Sequence, residues 1–240
     1  MNIEKNYNTS ESGVLTDEKA LSRKFVANVF IWMFAGLLIT ASVAWLFASS
    51  SLMSLLISET GFNLLGWLVI FSPFMMVIFM SVGLQRLSFV ALLTLFIVYT
   101  ILMGASLSFI LWVYTQQTIA IAFIVSASMF GVMAIAGYTT HTDLTKFGSL
   151  LFMALIGLII ASLTNLFMKS SGLEWIISIA GVLIFTGLTA WDVQRMKRAG
   201  TTSVIGTEEG NKTALMGALS LYLNFINLFL FLLRFVNGRN

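Results

Sequence analysis

Cysteine is absent from the 240 residues, proline and histidine each occur once, and Asp, Glu, Lys and Arg together make up only 10%. Without cysteine there is no disulfide framework, no CxxC redox pair and no thiolate metal cluster. His141, in the run HTDLTK, has no second histidine to share a metal or haem, and with Asp143 and Lys146 it reads as a solvated interfacial loop. No cofactor is expected. The scarcity of charge excludes more. Soluble domains carry roughly 25% charged residues, and a water-exposed surface cannot be made from so few.

What is abundant is apolar sequence, at 58% of the chain. A hydrocarbon core about 30 Å thick needs some 20 apolar residues at about 1.5 Å of helical rise each. Seven stretches meet that length, near Phe25 to Phe47, Leu64 to Val82, Phe89 to Leu111, Ile119 to Tyr138, Gly148 to Met168, Trp175 to Arg195 and Ala214 to Val236. The chain therefore reads as an all-α membrane protein with a polar N-terminal tail, residues 1–24, and a seven-helix transmembrane domain, residues 25–240. The tail mixes both charge signs ahead of a long apolar run, unlike the short basic region of a cleaved signal, so the first span is expected to stay as an anchor. The thirteen methionines and other large apolar side chains suit packing in such a bundle.

Short links after spans two to five leave no room for a soluble domain and make neighbouring helices antiparallel. The longest internal connection, Met196 to Thr213, contains Gly200, Gly206 and Gly210 and reads as a flexible surface loop. Ten of the thirteen Lys and Arg fall on the side of the tail, against Lys169, Arg234 and Arg239 on the other. Positive flanks stay inside, which predicts a cytoplasmic N-terminus and an outside C-terminus. The net charge of +3 thus reflects span anchoring, and no nucleic-acid partner is expected.

In lipid, small and polar residues at helical spacing mark the faces through which helices meet. Span five carries Ala154, Gly157, Ala161 and Thr164, and span three Gly104 and Ser108, both read as tight-packing stripes. On span seven Gly217, Ser220, Asn224 and Asn227 share one face; on span six Ser178, Gly181, Phe185, Thr189 and Asp192 do so. These two stripes are expected to face each other. Asp192 is the one carboxylate inside a span, and an ionised Asp there costs roughly 2.5–3.5 kcal/mol on insertion scales. It needs a partner, water or a proton. Arg195, one turn later, supplies a local partner; alternatively burial favours the neutral acid and makes protonation a switch.

The runs GYTTHTDLTKFGSLLFMALIGLIIASLTN, GLTAWDVQRMK and LSLYLNFINLFLFLLRF resemble corresponding parts of the bacterial Bax inhibitor-1, or transmembrane Bax inhibitor motif, family. The resemblance implies seven helices, six surrounding a central seventh. For some members it implies a pH-sensitive calcium leak, and for others suppression of cell death or restraint of a membrane protease. It further implies a hydrogen-bonded aspartate pair that senses protons near the pore. The first of the pair corresponds to Asp192; the second position, in the family pattern LYLDFINLF, is Asn224 here. Arg86, in GLQRLS, roughly matches a basic position that can engage the pair, although an ordinary membrane anchor explains it too. Asn227 is a further latch candidate.

Two close carboxylates resist joint ionisation, a term that Asp beside Asn lacks. The expected function is accordingly a pH-responsive cation leak, with calcium the favoured ion, in a bacterial inner membrane and with altered proton sensing. The alternative is a non-conducting modulator that binds a membrane protease or another membrane protein. An intramembrane aspartyl protease needs two catalytic carboxylates, so no enzyme is expected.

Overall fold

Backbone that leaves water must satisfy its own N–H and C=O groups, and every apolar stretch above does so as a helix. The computed structural model describes residues 3–58, 61–83, 86–203 and 206–237, with side chains from Lys19 onward. The seven long helices are α1 (Ile3–Ser49), α2 (Leu64–Gly83), α3 (Phe89–Leu107), α4 (Gln116–Thr139), α5 (Thr145–Met168), α6 (Ser171–Thr202) and α7 (Glu208–Asn237). All seven include segments long and apolar enough to cross a membrane, with the third extended to Val113 by a short helical turn.

Local chemistry sets the ends. Ser88, Thr115 and Ser170 accept hydrogen bonds from Ala91, Thr118 and Leu173 N–H at the starts of α3, α4 and α6. After α5 the chain turns through Lys169 at φ 48°, whose N–H returns to the Asn165 carbonyl. The only proline, Pro73, lies inside α2 and cannot bond the Val69 carbonyl; Ser72 Oγ, at 2.9 Å, takes that acceptor instead. Between α1 and α2 a 3-10 turn, Ser51–Leu55, precedes two short strands that pair antiparallel, β1 (Ile57–Ser58) and β2 (Gly61–Phe62).

Two connections differ from expectation. The α1 helix does not begin at Phe25: Ser22 is buried and its hydroxyl donates to the Lys197 carbonyl at 2.7 Å, so the bundle extends into the end of the polar tail. Nor is Met196 to Thr213 a long loop. Helix α6 runs on to Thr202 because Gly200 lets it pass close to Ser22 and Phe25, and Gly206, at φ +94°, makes the turn into α7.

Burial is concentrated in two helices. In the most apolar stretches of α6 and α7 61% of residues are buried, against 6% in α5 and at most 33% elsewhere. The interior is thus shared by α6 and α7, and the packing does not single out α7 as the one central helix. Around them α1 and α4 touch both, α3 leans on α1, α2 and α7, and α5 packs chiefly on α6. The approaches use small residues: a Cβ on Gly137 would strike the Ala190 backbone, one on Gly104 the Thr40 carbonyl, and one on Gly148 the Trp191 ring.

Candidate functional site

The two polar stripes do meet. Gly217 of α7 faces Met196 of α6 and Gly181 of α6 faces Phe231 of α7, which holds the antiparallel pair close enough for short side chains to bond across it. At that seam Asp192, 3% exposed, accepts two hydrogen bonds on Oδ2, from Asn224 Nδ2 and from Ser220 Oγ, each 2.7 Å long. Arg195 Nη2 stands 2.7 Å from the other oxygen, Oδ1, as an ion pair whose N–H is not aligned for a hydrogen bond. The guanidinium also donates to Ser220 at 3.3 Å and lies over the Trp191 ring. Two hydrogen-bond donors of α7 and the guanidinium of α6 thus surround one buried carboxyl group, whose burial demands such partners.

Beside the acid lies a cavity of about 740 Å³. Asp192, Arg195, Ser220, Asn224, Asn227 and Arg234 supply its polar wall, and apolar side chains of α5 and Phe74 of α2, many of them exposed on the outer surface of the bundle, line the other side and leave it partly open. From Ser220 to Arg234 it follows α7 for fourteen residues, about 21 Å, most of a hydrocarbon core. Because α5 packs on α6 rather than α7, the space between α5 and α7 remains as this cavity.

Of the candidate residues, Asp192 and Asn224 are brought into direct contact, and Asn227 lines the same cavity but donates to the Leu223 carbonyl of its own helix. Arg86 is not brought there. It is exposed in the turn after α2, has no side-chain partner among the described residues and does not line the cavity. The cation that engages the acid is Arg195, whose place one turn along the same helix makes the contact local. Among the described residues no three His, Asp or Glu side chains converge, so a cation would meet a single carboxylate and amide oxygens rather than a cage.

Other expectations fare unevenly. Gly104 of α3 and Ser108, which caps its end, are buried, as read. The stripe on α5 is not a packing face: Ala154, Gly157 and Thr164 are exposed, and α5 packs instead through Gly148, Leu151 and Leu158. The HTDLTK loop is exposed but tied down. Gln194 bonds the Leu144 N–H and the Thr142 carbonyl, and Asp143 pairs with Arg198 at 2.8 Å. Thr145's hydroxyl and N–H, with Arg198, hold the Asp143 carboxyl well below the usual carboxylate range. Missed altogether was a second buried polar cluster, in which Thr40 bonds the Tyr222 hydroxyl at 2.7 Å and the Thr100 carbonyl at 2.9 Å while Tyr99 packs edge-on against Tyr222.

Comparison with known proteins places this architecture among relatives. A family model described as inhibitor of apoptosis-promoting Bax1 matches residues 22–240. The inner membrane protein YbhL of Escherichia coli K12 is 44% identical over 229 residues, covering 95% of this chain and 97% of that one. An uncharacterized protein of Borreliella burgdorferi is 43% identical over 228 residues, with 94% and 97% covered. Another, from Rickettsia prowazekii, is 41% identical over 218 residues, covering 90% of each chain.

Proposed function

Because the chain belongs to the Bax inhibitor-1 family, we propose that it is a multi-pass protein of a bacterial inner membrane that leaks a cation, calcium for preference, under control of the proton on Asp192. The supporting observation is the buried carboxylate itself, held by two donors of α7 and the Arg195 guanidinium of α6 on the wall of a cavity that runs through much of the membrane depth. The proposed orientation has the N-terminus and the basic end in the cytoplasm and the C-terminus outside, following the Lys and Arg asymmetry.

In this reading the ionised acid is a latch. It ties α7 to α6 through Ser220 and Asn224 and keeps Arg195 at the head of the cavity. A proton on the carboxyl cancels the attraction to Arg195 and weakens both accepted bonds, since charged acceptors bond roughly twice as strongly as neutral ones. Arg195, with 46% of its side chain exposed, turns out to water, and the seam loosens. Flux therefore rises as pH falls. With Asn224 in place of a second acid the response is a one-proton transition, shallower than that of a coupled pair. Among the described residues Asp192 contacts no titratable side chain other than Arg195, and the reading assigns the chain transport rather than catalysis.

Calcium flux into proteoliposomes, followed across about pH 5 to 8, tests this. Asp192→Asn should conduct at every pH with its pH dependence lost. An unchanged pH profile in that variant would overturn the mechanism.

A second reading draws on α5, whose small-residue stripe faces outward in the manner of surfaces through which membrane helices associate. Under it the chain is a non-conducting modulator seated against another membrane protein such as a membrane protease. A stable copurifying partner, lost in Gly157→Leu and accompanied by no ion flux, would favour it.

A further inference from the structure

At the end of the bundle where α1 begins to pack against α6, α1, the α4–α5 connection and the last turns of α6 surround a basin of about 850 Å³. Five basic side chains line it, Lys19, Arg23, His141, Lys197 and Arg198, and among the described residues no Asp or Glu does. Two are already engaged. Lys197 Nζ donates to the Tyr138 carbonyl at 2.7 Å, satisfying one of the free C=O groups in the last turn of α4, and lies over the Tyr138 ring. Arg198 is paired with Asp143. Lys19 and Arg23 are different: both are exposed, they stand one turn apart on the same face of α1, and neither has an ion pair or side-chain hydrogen bond among the described residues. Two uncommitted cations at the mouth of a concave basic surface select an anion.

A second crevice identifies which anion. It has a volume of about 300 Å³, shares Arg23 and Tyr138 with the basin, and continues between α1 and α4 along Val26, Phe30, Ala134 and Ile135. From Arg23 to Phe30 it follows α1 for seven residues, about 10 Å toward the membrane interior. A soluble phosphate has no use for an apolar slot below its binding groups. A glycerophospholipid uses both parts, and Tyr138 stands at their junction with an apolar ring and a polar tip, as residues at headgroup level do. Basic pockets between helices at the cytoplasmic end of a bundle are suited to anionic headgroups, each Lys or Arg adding a modest attraction that sums over the cluster.

We propose that this basin and crevice form one site for an anionic phospholipid, its phosphodiester held by Lys19 and Arg23 and one acyl chain lying between α1 and α4. The site is separate from the Asp192 cavity and does not depend on whether the chain conducts ions.

Purified full-length protein in neutral detergent, titrated with phosphatidylglycerol, phosphatidylcholine or inorganic phosphate and read by native mass spectrometry, provides the test. Phosphatidylglycerol should bind about tenfold more tightly than phosphatidylcholine, and the double change Lys19→Gln with Arg23→Gln should remove most of that preference. Exchanging the two cations, Lys19→Arg with Arg23→Lys, should keep it, which separates loss of charge from loss of structure. Ala27→Trp fills the crevice from an exposed position and should weaken both lipids. Equal binding of the two lipids, or a preference untouched by the double glutamine change, overturns the proposal. Inorganic phosphate displacing phosphatidylglycerol at equal concentration, with Ala27→Trp silent, would instead assign the basin to a soluble anion.

Discussion

Two aspartate–arginine pairs draw on neighbouring turns of α6 and have nearly the same length, 2.7 Å for Asp192–Arg195 and 2.8 Å for Asp143–Arg198. Their surroundings differ. The Asp192 side chain is 4% exposed and is also bound by two donors from another helix, whereas the Asp143 side chain is 64% exposed and its remaining bonds stay within its own loop. Contact distance therefore says little about what each pair does. In water the attraction is screened and offset by side-chain entropy, while in the interior each unpaired group keeps its full desolvation cost. The outer pair holds a loop against α6; the inner one lies within α6, and the bonds that its acid accepts from Ser220 and Asn224 couple α6 to α7.

The largest separation between them should come from removing the acids. Asp192→Ala strands the Asn224 amide and the Ser220 hydroxyl at the seam and should lower stability by about 3 kcal/mol, measured by unfolding in detergent, while Asp143→Ala changes it little. Equal losses would erase the distinction. Next, Asn224→Asp puts a second carboxyl within bonding distance of Asp192, so the two share a proton. Its flux should follow pH more steeply than that of the parent chain, and an identical profile would count against the latch. Arg195→Gln should cost less, about 1 kcal/mol, because the guanidinium is half exposed and Asp192 keeps two donors; raised flux at neutral pH is the accompanying readout.

The smallest effect concerns the outer pair. The Asp143 carboxyl is held below the ordinary carboxylate range, so its contribution is complete above that range and is lost only as pH falls through the lowered value. The protection of residues 140–145 against amide exchange, taken relative to the intrinsic rate at each pH, should accordingly be flat across about pH 5 to 8, and it should fall in about 1 M salt, where charges are screened within about 3 Å. Opening of this loop over the same range in which flux changes would show that the two pairs act as one.

The spans were legible because twenty apolar residues have one physical meaning in a chain with so little charge. The α6–α7 seam was legible too, since Asp192 and Asn224 cannot be left in hydrocarbon and their stripes had only each other to answer. Which face of α5 packs was not. Both its faces are apolar, so Ala154, Gly157 and Ala161 read as a packing stripe although lipid faces most of it, and only three-dimensional placement distinguishes the two. Arg86 and Arg195 were both plausible partners for the acid, and proximity along the helix decided between them. The three glycines between Met196 and Thr213 suggested a loop, yet Gly200 serves close helix packing, Gly206 a turn, and Gly210 the start of α7. The Gln194 clasp and the Thr40–Tyr222 bond join residues 50 or more positions apart, with no sequence periodicity to announce them.

Helix α6 is thirty-two residues long, about 48 Å, and it continues without interruption from Asp192 through Arg198 to Thr202. The buried acid and the wall of the basic basin formed by Lys197 and Arg198 consequently sit on one continuous helix, less than two turns apart. A shift of that helix at either place would reach the other without a flexible joint between them. Reciprocity then sets a quantitative condition on the assembled protein: by whatever factor protonation alters the hold on a lipid at the basin, that lipid alters the hold on the proton.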